Sequence, residues 1–497
     1  MMTEMQEEKE NFELIRTSKN KPLMVLSGYT YIVDRTRNDK TYWKCSRTDV
    51  CKMRVTTDSN HTEMINGPMK KVHEHDMPHI ENVKRMNEVK DMAKVQKFAR
   101  PSQIIHKVYG ESENSILSSR ENAMQVAKRI RRKCKLVEPT DIKEIDFDET
   151  ILMNGEKFCL FDSKNEHCIE IFGHKENVSD YVDDEDRLVI FGTKHNVARL
   201  MGCEEWMVDA TFDIVPKMFY QLLTIMGKRY GKWFPLIYVL MSGKKEENYM
   251  KVWEQLLLNA PEMDGVPPTS LILHTDLEKA SINAFLFYFP ESKVQTCLFH
   301  LGQAVIRKIR SLGLFNRYIN DGNFKLYVRM LVALAFLPLE SVIDGFQEVS
   351  GFLEDVPDLI NYFDKTYVRG EVIRKSGDTE IRRKPNFPPE QWNVYNGIAN
   401  GMDRTNNVIE GHHNAMRIIA DRCHVGIYEL MKVLINKQNM TEKDMLHHLS
   451  QGAIPKKKAK ITRDRDAALL NLKKLFDEEK MPVFDYLHGI AMNVPMK

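Results

Sequence analysis

The chain has 497 residues, 29% of them charged and 42% hydrophobic, with a formal net charge of +2, which excludes collagen-like, mucin-like and wholly disordered chains. Its longest apolar run, Trp233 to Met241, falls far short of the ~18 residues that suggest a membrane span, so no membrane partner is expected. The acidic start, MMTEMQEEKENFEL, lacks the apolar core of a signal peptide and predicts a chain that is not secreted.

Residues 23–57 read as short strands. Leu23–Leu26 and Tyr29–Val33 are rich in β-formers and are broken by Ser27-Gly28. Thr41–Cys45 leads into the polar turn Ser46–Asp49, and Cys51–Val55 runs back, leaving a cysteine at each end of the turn. His73-Glu74-His75 follows. On a strand, residues i and i+2 share a face, so both imidazoles can reach one point. Two thiolates and two imidazoles fit tetrahedral zinc, and a module this small gains from a metal staple. The bland alternative is two buried cysteines and two surface histidines. The other six cysteines, Cys134, Cys159, Cys168, Cys203, Cys297 and Cys423, are expected to be small buried apolar residues rather than disulfides, with Cys297 the open case among them.

Over residues 10–76, the run Phe12, Leu14, Leu23, Gly28-Tyr29, Tyr31, Tyr42-Trp43, Cys45, Cys51, Arg54, His73 and His75 resembles a FLYWCH-type zinc finger. The resemblance implies Cys45, Cys51, His73 and His75 as structural zinc ligands, in a module that recognises DNA or protein.

The near-neutral total hides a basic segment. Residues 81–135 carry 14 Lys/Arg and 6 Asp/Glu, a local +8, whereas 136–190 is acidic, with Asp183, Asp184, Glu185 and Asp186 in a row. A polyanion partner, nucleic acid first, fits the basic segment, as does a plain solvated helical surface. The spacing of Val83, Met86, Val89, Met92, Ala93, Val95 and Phe98 predicts a helix over 82–99. A second helix is expected to begin at Pro101 and a third at Ser119. The third ends in Arg129, Arg131, Arg132 and Lys133, a cluster suited to phosphate contacts. Residues 82–136 are thus read as a DNA-contact segment, only loosely helix-turn-helix, and 137–200 as a connecting α/β segment.

From 201 to 312 the pattern becomes orderly. Trp206, Val208, Ala210 and Phe212 alternate with Met207, Asp209, Thr211 and Asp213, a strand with carboxylates on one face. Tyr220–Met226 and Trp233–Met241 read as two further strands. A helix follows with Tyr249, Val252, Trp253, Leu256 and Leu257 on one stripe, then a strand from Leu271 to Asp276, a helix, a fifth strand from Val294 to Leu298, and another helix. Three adjacent strands, a helix, a strand, a helix and a strand is the order of an RNase H-like fold. In that fold the first and fourth strands are central neighbours, which would bring Asp209 beside Asp276. Two close carboxylates repel unless a cation separates them, and oxygen ligands favour Mg²⁺ or Mn²⁺.

Residues 313–400 read as a helical insertion. Segment 401–425 then carries the candidate third carboxylate, Glu410. On a helix, Asn406, Glu410, His413 and Arg417 share a polar face, while Ile409, Met416, Ile419 and Ala420 form an apolar stripe. Alone, Glu410 is equally an ordinary surface glutamate. Residues 426–497 form a helical, basic tail. Its Pro455–Lys460 run reads as a nuclear import signal or a solvated linker, and a small helix is expected over 464–476.

The motifs Trp206-x-Val208-Asp209-Ala210-Thr211-Phe212, Thr275-Asp276, Cys297-x-x-His300 and Asn406-Asn407-x-x-Glu410, with Trp392 before the last, resemble the transposases of Mutator-like elements over roughly 188–425. The resemblance implies a DDE enzyme with Asp209, Asp276 and Glu410 holding Mg²⁺ or Mn²⁺, supported by Cys297, His300, Asn406 and His413. It implies cleavage and strand transfer on double-stranded DNA at terminal inverted repeats, by a homo-oligomer in the nucleus. The rival expectation is a domesticated DNA-binding regulator that keeps the fold.

Overall fold

The computed structural model describes residues 12–17, 21–68, 73, 80–95, 101–110, 117–133, 137–147, 150–152, 154–165, 187–260, 271–376, 379–399, 406–421, 423–451 and 460–494. The chain divides into two units, Met1–Val137 and Glu138–Lys497. It is a mixed α/β protein with an antiparallel β module at its start and a helical C-terminal region.

In the first unit, β1 (Glu13–Arg16), β2 (Pro22–Leu26), β3 (Tyr29–Arg37), β4 (Lys40–Cys45), β5 (Arg54–Asp58) and β6 (Met64–Asn66) pair in sequence order as an antiparallel meander. Two turns set its register. Ser27-Gly28 and Asn38-Asp39 all have positive φ, the backbone that matches a two-residue hairpin to strand twist. Alternation buries Met24, Leu26, Tyr31, Trp43, Cys45 and Val55 in one small core, closed by Cys51 and Met53. The buried Trp43 donates its indole N–H to Thr57 Oγ1 at 2.9 Å.

Three helices follow, α1 (Ile80–Val95), α2 (Pro101–Tyr109) and α3 (Leu117–Lys133). Proline at the first position of α2 and Gly110 at φ +62 after its end are the expected punctuation. Val89, Ala93, Ile104, Ile105, Tyr109, Ala123 and Ala127 are the buried faces that hold the helices together. The first helix begins two residues before the expected start and the third begins at Leu117 rather than Ser119; Phe98 lies outside the described residues.

The second unit is built on a seven-stranded sheet of order β13-β12-β9-β10-β11-β8-β7. Its elements are β7 (Cys159–Asp162), β8 (Leu188–Phe191), α4 (Lys194–Met201), β9 (Glu205–Thr211), β10 (Gln221–Arg229), β11 (Lys232–Met241), α5 (Glu246–Leu258), β12 (Ile272–Thr275), α6 (Lys279–Tyr288), β13 (Lys293–Thr296) and α7 (Leu298–Ser311). The expected five strands are present, and β12 runs parallel to both β9 and β13 while β9, β10 and β11 are antiparallel. Tyr230 and Gly231, both at positive φ, make the tight β10–β11 turn. Strands β7 and β8 extend the sheet beyond the expected five. Arg187 and Asp162 form a buried ion pair there, and the guanidinium also donates to the carbonyls of Ile142 and Ile145.

The two faces of β9 have different fates. Trp206 and Val208 enter the core under α4, α5 and α6, where Trp206, Trp253, Phe285 and Phe289 interlock. Met207 packs on the opposite side against Ile409 of α14 (Asn407–Ala420). Asp209 shares that side, two residues on.

Between these parts lie α8 (Phe315–Asn320), α9 (Gly322–Ala333), α10 (Val342–Ser350), α11 (Pro357–Phe363), a hairpin of β14 (Val372–Ser376) and β15 (Thr379–Arg382), α12 (Pro389–Trp392) and α13 (Tyr395–Ala399). The expected insertion is helical but also holds that hairpin. After α14 come α15 (Ile427–Gln451), α16 (Lys460–Asp477) and α17 (Val483–Asn493). Leu469, Tyr486, Leu487 and Ile490 of the last two helices enter the same core as Leu331, Phe336, Phe346, Phe363 and Trp392 of the insertion.

Four sequence expectations need correction. Strand β9 ends at Thr211, because the chain turns back through Val215 N–H to Phe212 O, so Asp213 is an exposed turn residue and not on the strand face of Asp209. Leu298 belongs to α7, because Cys297 O accepts the first helical bond from Leu301 N. Cys423 is exposed, as α14 ends at Asp421 with φ +58 and throws the following residues into a loop. His73 lies in no strand; His75, like the Asp183–Asp186 run, Cys134, Cys168 and Lys456–Lys458, lies outside the described residues.

Candidate metal centre and active site

Cys45 ends β4 and Cys51 precedes β5, and Cys45 N–H bonds Met53 O at 2.9 Å, so the intervening loop folds both thiols to one place. Cys45 Sγ, Cys51 Sγ and one His73 ring nitrogen lie within 4.8 Å of one another. His73 Nδ1 is 3.3 Å from Cys51 Sγ and 3.8 Å from Cys45 Sγ. A tetrahedral zinc with its usual bond lengths has ligand–ligand edges of about 3.5–3.8 Å, and the two sulfur–nitrogen separations lie close to that value. The other ring nitrogen, Nε2, meets Tyr31 Oη at 2.8 Å, and the ring stacks on Tyr29 with centroids 3.7 Å apart. Burial, reinforced by Cys51, pushes the Cys45 thiol up, a cost that binding of a cation to the thiolate relieves.

The second site is an open cleft of about 600 Å³ lined by Asp209, Asp213, Asp276, Phe299, His300, Gln303, Glu410, His413, Asn414 and Arg417, among others. Asp209 comes from β9 and Asp276 follows the last residue of β12. The β9–β12 register pairs Leu273 with Trp206 and His274 with Met207; continued by two residues it sets Asp276 opposite Asp209. Glu410 and His413 come from the polar face of α14, as their spacing predicts.

The electrostatics of the aspartate pair are set by burial and mutual repulsion. Asp209 is only 8% exposed, and its carboxyl is pushed up to about 8, first by burial and then by the charge of Asp276. Asp209 Oδ1 accepts the Ala210 N–H at 2.9 Å. Asp276 Oδ1 accepts from Asn406 Nδ2 at 2.8 Å and lies 2.8 Å from His300 Nδ1. Burial opposes a charged His300, but Asp276 and Cys297 outweigh it and hold the imidazolium to about 10. Burial drives His413 the other way, down to about 4.

The structure therefore brings Asp209, Asp276, Glu410, His300 and His413 to one cleft, with Asn406 bonded to it. Cys297 is buried and acts as a tie: its Sγ accepts the Asn406 N–H at 3.4 Å, holding the start of α14 against the end of β13. Thr224 was not anticipated; a lone threonine in an apolar strand carries no sequence signal, yet its hydroxyl meets His413 Nε2 at 3.0 Å. Of the basic cluster on α3, Arg129 and Arg132 are exposed, while the side chains of Arg131 and Lys133 lie outside the described residues.

Comparison with known families matches both sites. Residues 14–75 match the FLYWCH zinc finger domain, and residues 205–304 match the MULE transposase domain, a span that includes Asp209, Asp276 and His300. No curated protein matches the chain. Among the described residues, no helix is long and apolar enough to cross a membrane. The chain thus joins an N-terminal FLYWCH zinc finger domain to a MULE transposase domain.

Proposed function

We propose that this transposase-like DNA-binding chain cleaves DNA and transfers strands at element ends, with Asp209, Asp276 and Glu410 as its metal-holding carboxylates. One observation carries the reading: three carboxylates from a strand, a strand end and a helix line a single open cleft, where burial first and the charge of Asp276 second keep a proton on Asp209 to about 8. The sheet order supports an RNase H-like core around them. A divalent cation there would supply the Lewis acidity and charge stabilisation that phosphodiester attack by water or a 3′-hydroxyl requires. Asn406 and His300 hold Asp276 in place, and Arg417, exposed at the rim, is positioned to meet a phosphate. The finger, through Cys45, Cys51, His73 and His75, and the helices of 82–136 would hold double-stranded DNA at terminal inverted repeats. A nuclear, DNA-assembled homo-oligomer belongs to the same proposal.

The test is cleavage of element-end DNA with Mg²⁺ or Mn²⁺. Asp209→Asn, Asp276→Asn and Glu410→Gln should each abolish cleavage and spare DNA binding, because an amide keeps the shape and removes the charge. Robust cleavage by Glu410→Gln would hand the third position to another carboxylate, with Asp213 the first candidate in the cleft. Tight binding without cleavage by the unmutated chain, with Mn²⁺ supplied, would favour a DNA-binding regulator.

A further inference from the structure

Asp209 and Thr224 are register partners on adjacent strands β9 and β10, so their side chains leave the sheet on the same face. His413 of α14 sits across both. Its Nε2 is 3.0 Å from Thr224 Oγ1, and its Nδ1 is 3.6 Å from Asp209 Oδ2. Thr224 is fully buried, and the side chains of His413 and Asp209 are 10% and 8% exposed. The other Asp209 oxygen is already held by the Ala210 N–H.

We propose that Thr224 and His413 form a positioning relay that orients Asp209 for a divalent cation; the inference rests on the reading above that Asp209 holds one. The argument is the direction of the ring hydrogens. With a cation bound, Asp209 has lost its proton and is a carboxylate; a nitrogen lone pair facing its oxygen at this separation is repelled, whereas an N–H is attracted, so in that state the hydrogen belongs on Nδ1. Nε2 then presents its lone pair to Thr224, whose hydroxyl donates to it. The threonine hydroxyl, free to donate, thus holds the ring in the tautomer that turns Nδ1–H toward Asp209. At 3.6 Å the second contact is longer than a hydrogen bond and acts as a charge–dipole attraction on Oδ2. With Ala210 on one oxygen and His413 on the other, rotation of the carboxylate is restrained from both sides. Outer partners of this kind typically change metal affinity by about 10–100-fold when removed.

The test is Mn²⁺ affinity, measured by electron paramagnetic resonance on the full zinc-loaded chain, with near-UV circular dichroism to confirm folding. His413→Ala should weaken Mn²⁺ binding by about tenfold or more. Thr224→Val, which keeps the shape and loses the hydroxyl, should weaken it in the same direction, and Thr224→Ser should restore it to within about twofold. The double variant His413→Ala/Thr224→Val should bind no worse than His413→Ala, because a relay broken once is already broken. Wild-type affinity in both single variants, with Asp209→Asn unable to bind, would overturn the relay and leave the metal reading intact. Equal weakening by Thr224→Val and Thr224→Ser would also overturn it, by showing that packing rather than the hydroxyl matters. Unchanged Mn²⁺ binding in Asp209→Asn would instead remove the metal reading on which the relay depends. Should His413→Ala fail to fold, the Thr224 pair decides the question alone.

Discussion

His300 Nδ1 lies 2.8 Å from Asp276 Oδ1, joining the first turn of α7 to the end of β12. The same oxygen takes a hydrogen bond from Asn406, the residue that caps α14. One carboxylate therefore pins two helix starts to the C-terminal end of an interior strand. A group that is both a structural anchor and a candidate cation ligand ties the shape of the cleft to its charge state.

The metal-free fold should lose stability between pH 6.5 and 8. Asp209 holds its proton to about 8 when folded but only to ~3.9 in an unfolded chain, so its stabilising contribution, complete below ~4, is lost as pH rises through about 8. His300, raised to about 10, likewise loses its contribution above its unfolded value. His412 and His413, lowered to about 3 and about 4, gain stability only up to ~6.5, so the two effects oppose each other below that pH and not above it. Thermal melting from pH 6.5 to 8 should show a falling Tm, a shallower fall in Asp209→Asn, and a shallower fall again with saturating Mn²⁺. A Tm that rises across this window would contradict the assignment.

Zinc should bind one per chain, and its removal should unfold the β meander while the seven-stranded sheet persists. A chelator titration followed by both a zinc indicator and circular dichroism checks this. Tyr31→Phe should weaken zinc by roughly tenfold without removing a ligand, since the Tyr31 hydroxyl on Nε2 leaves Nδ1 to face the thiols.

Exposed Arg129 and Arg132 should contribute to DNA affinity through phosphate contacts. Replacing both with alanine should lower the slope of log affinity against log salt by about 1.8, since each neutralised phosphate contributes ~0.9. An unchanged slope in a duplex-binding titration would return these arginines to plain solvated surface.

Arg187→Ala should cost about 3–5 kcal/mol in urea unfolding of the full chain, because it strands a buried carboxylate on Asp162 and two carbonyls. Asp162→Ala should cost a similar amount by leaving the guanidinium buried.

The site was legible where local pattern and chemistry coincide. Asp209 interrupts a period-two strand, Asp276 ends an apolar run, and Glu410 falls on the polar side of a period-3.6 helix; each of these is a short-range signal. What escaped detection depends on pairing at long range. Leu188–Phe191 reads as four apolar residues, with no hint that it adds a strand beside β11. Asn406 bonding Asp276 and His413 reaching Thr224 span 130 and 189 residues, distances at which periodicity says nothing. Phe212 and Asp213 continue the alternation of β9 into a turn, so the pattern runs two residues past the strand.

The hydrophobic core of the insertion is completed by helices from beyond α15. Tyr486 Oη donates to Phe336 O across 150 residues, and Arg329 donates to Val494 O. The helix bearing Glu410 is thus looped out between two halves of one folding unit. Residues 460–494 supply part of the core of 315–399, whereas α14 is seated on the sheet separately, through Asn406 to Asp276 and Cys297 and through Ile409 to Met207. Loss of the last two helices would thus open the insertion's core while leaving in place all three carboxylates and the contacts that seat α14.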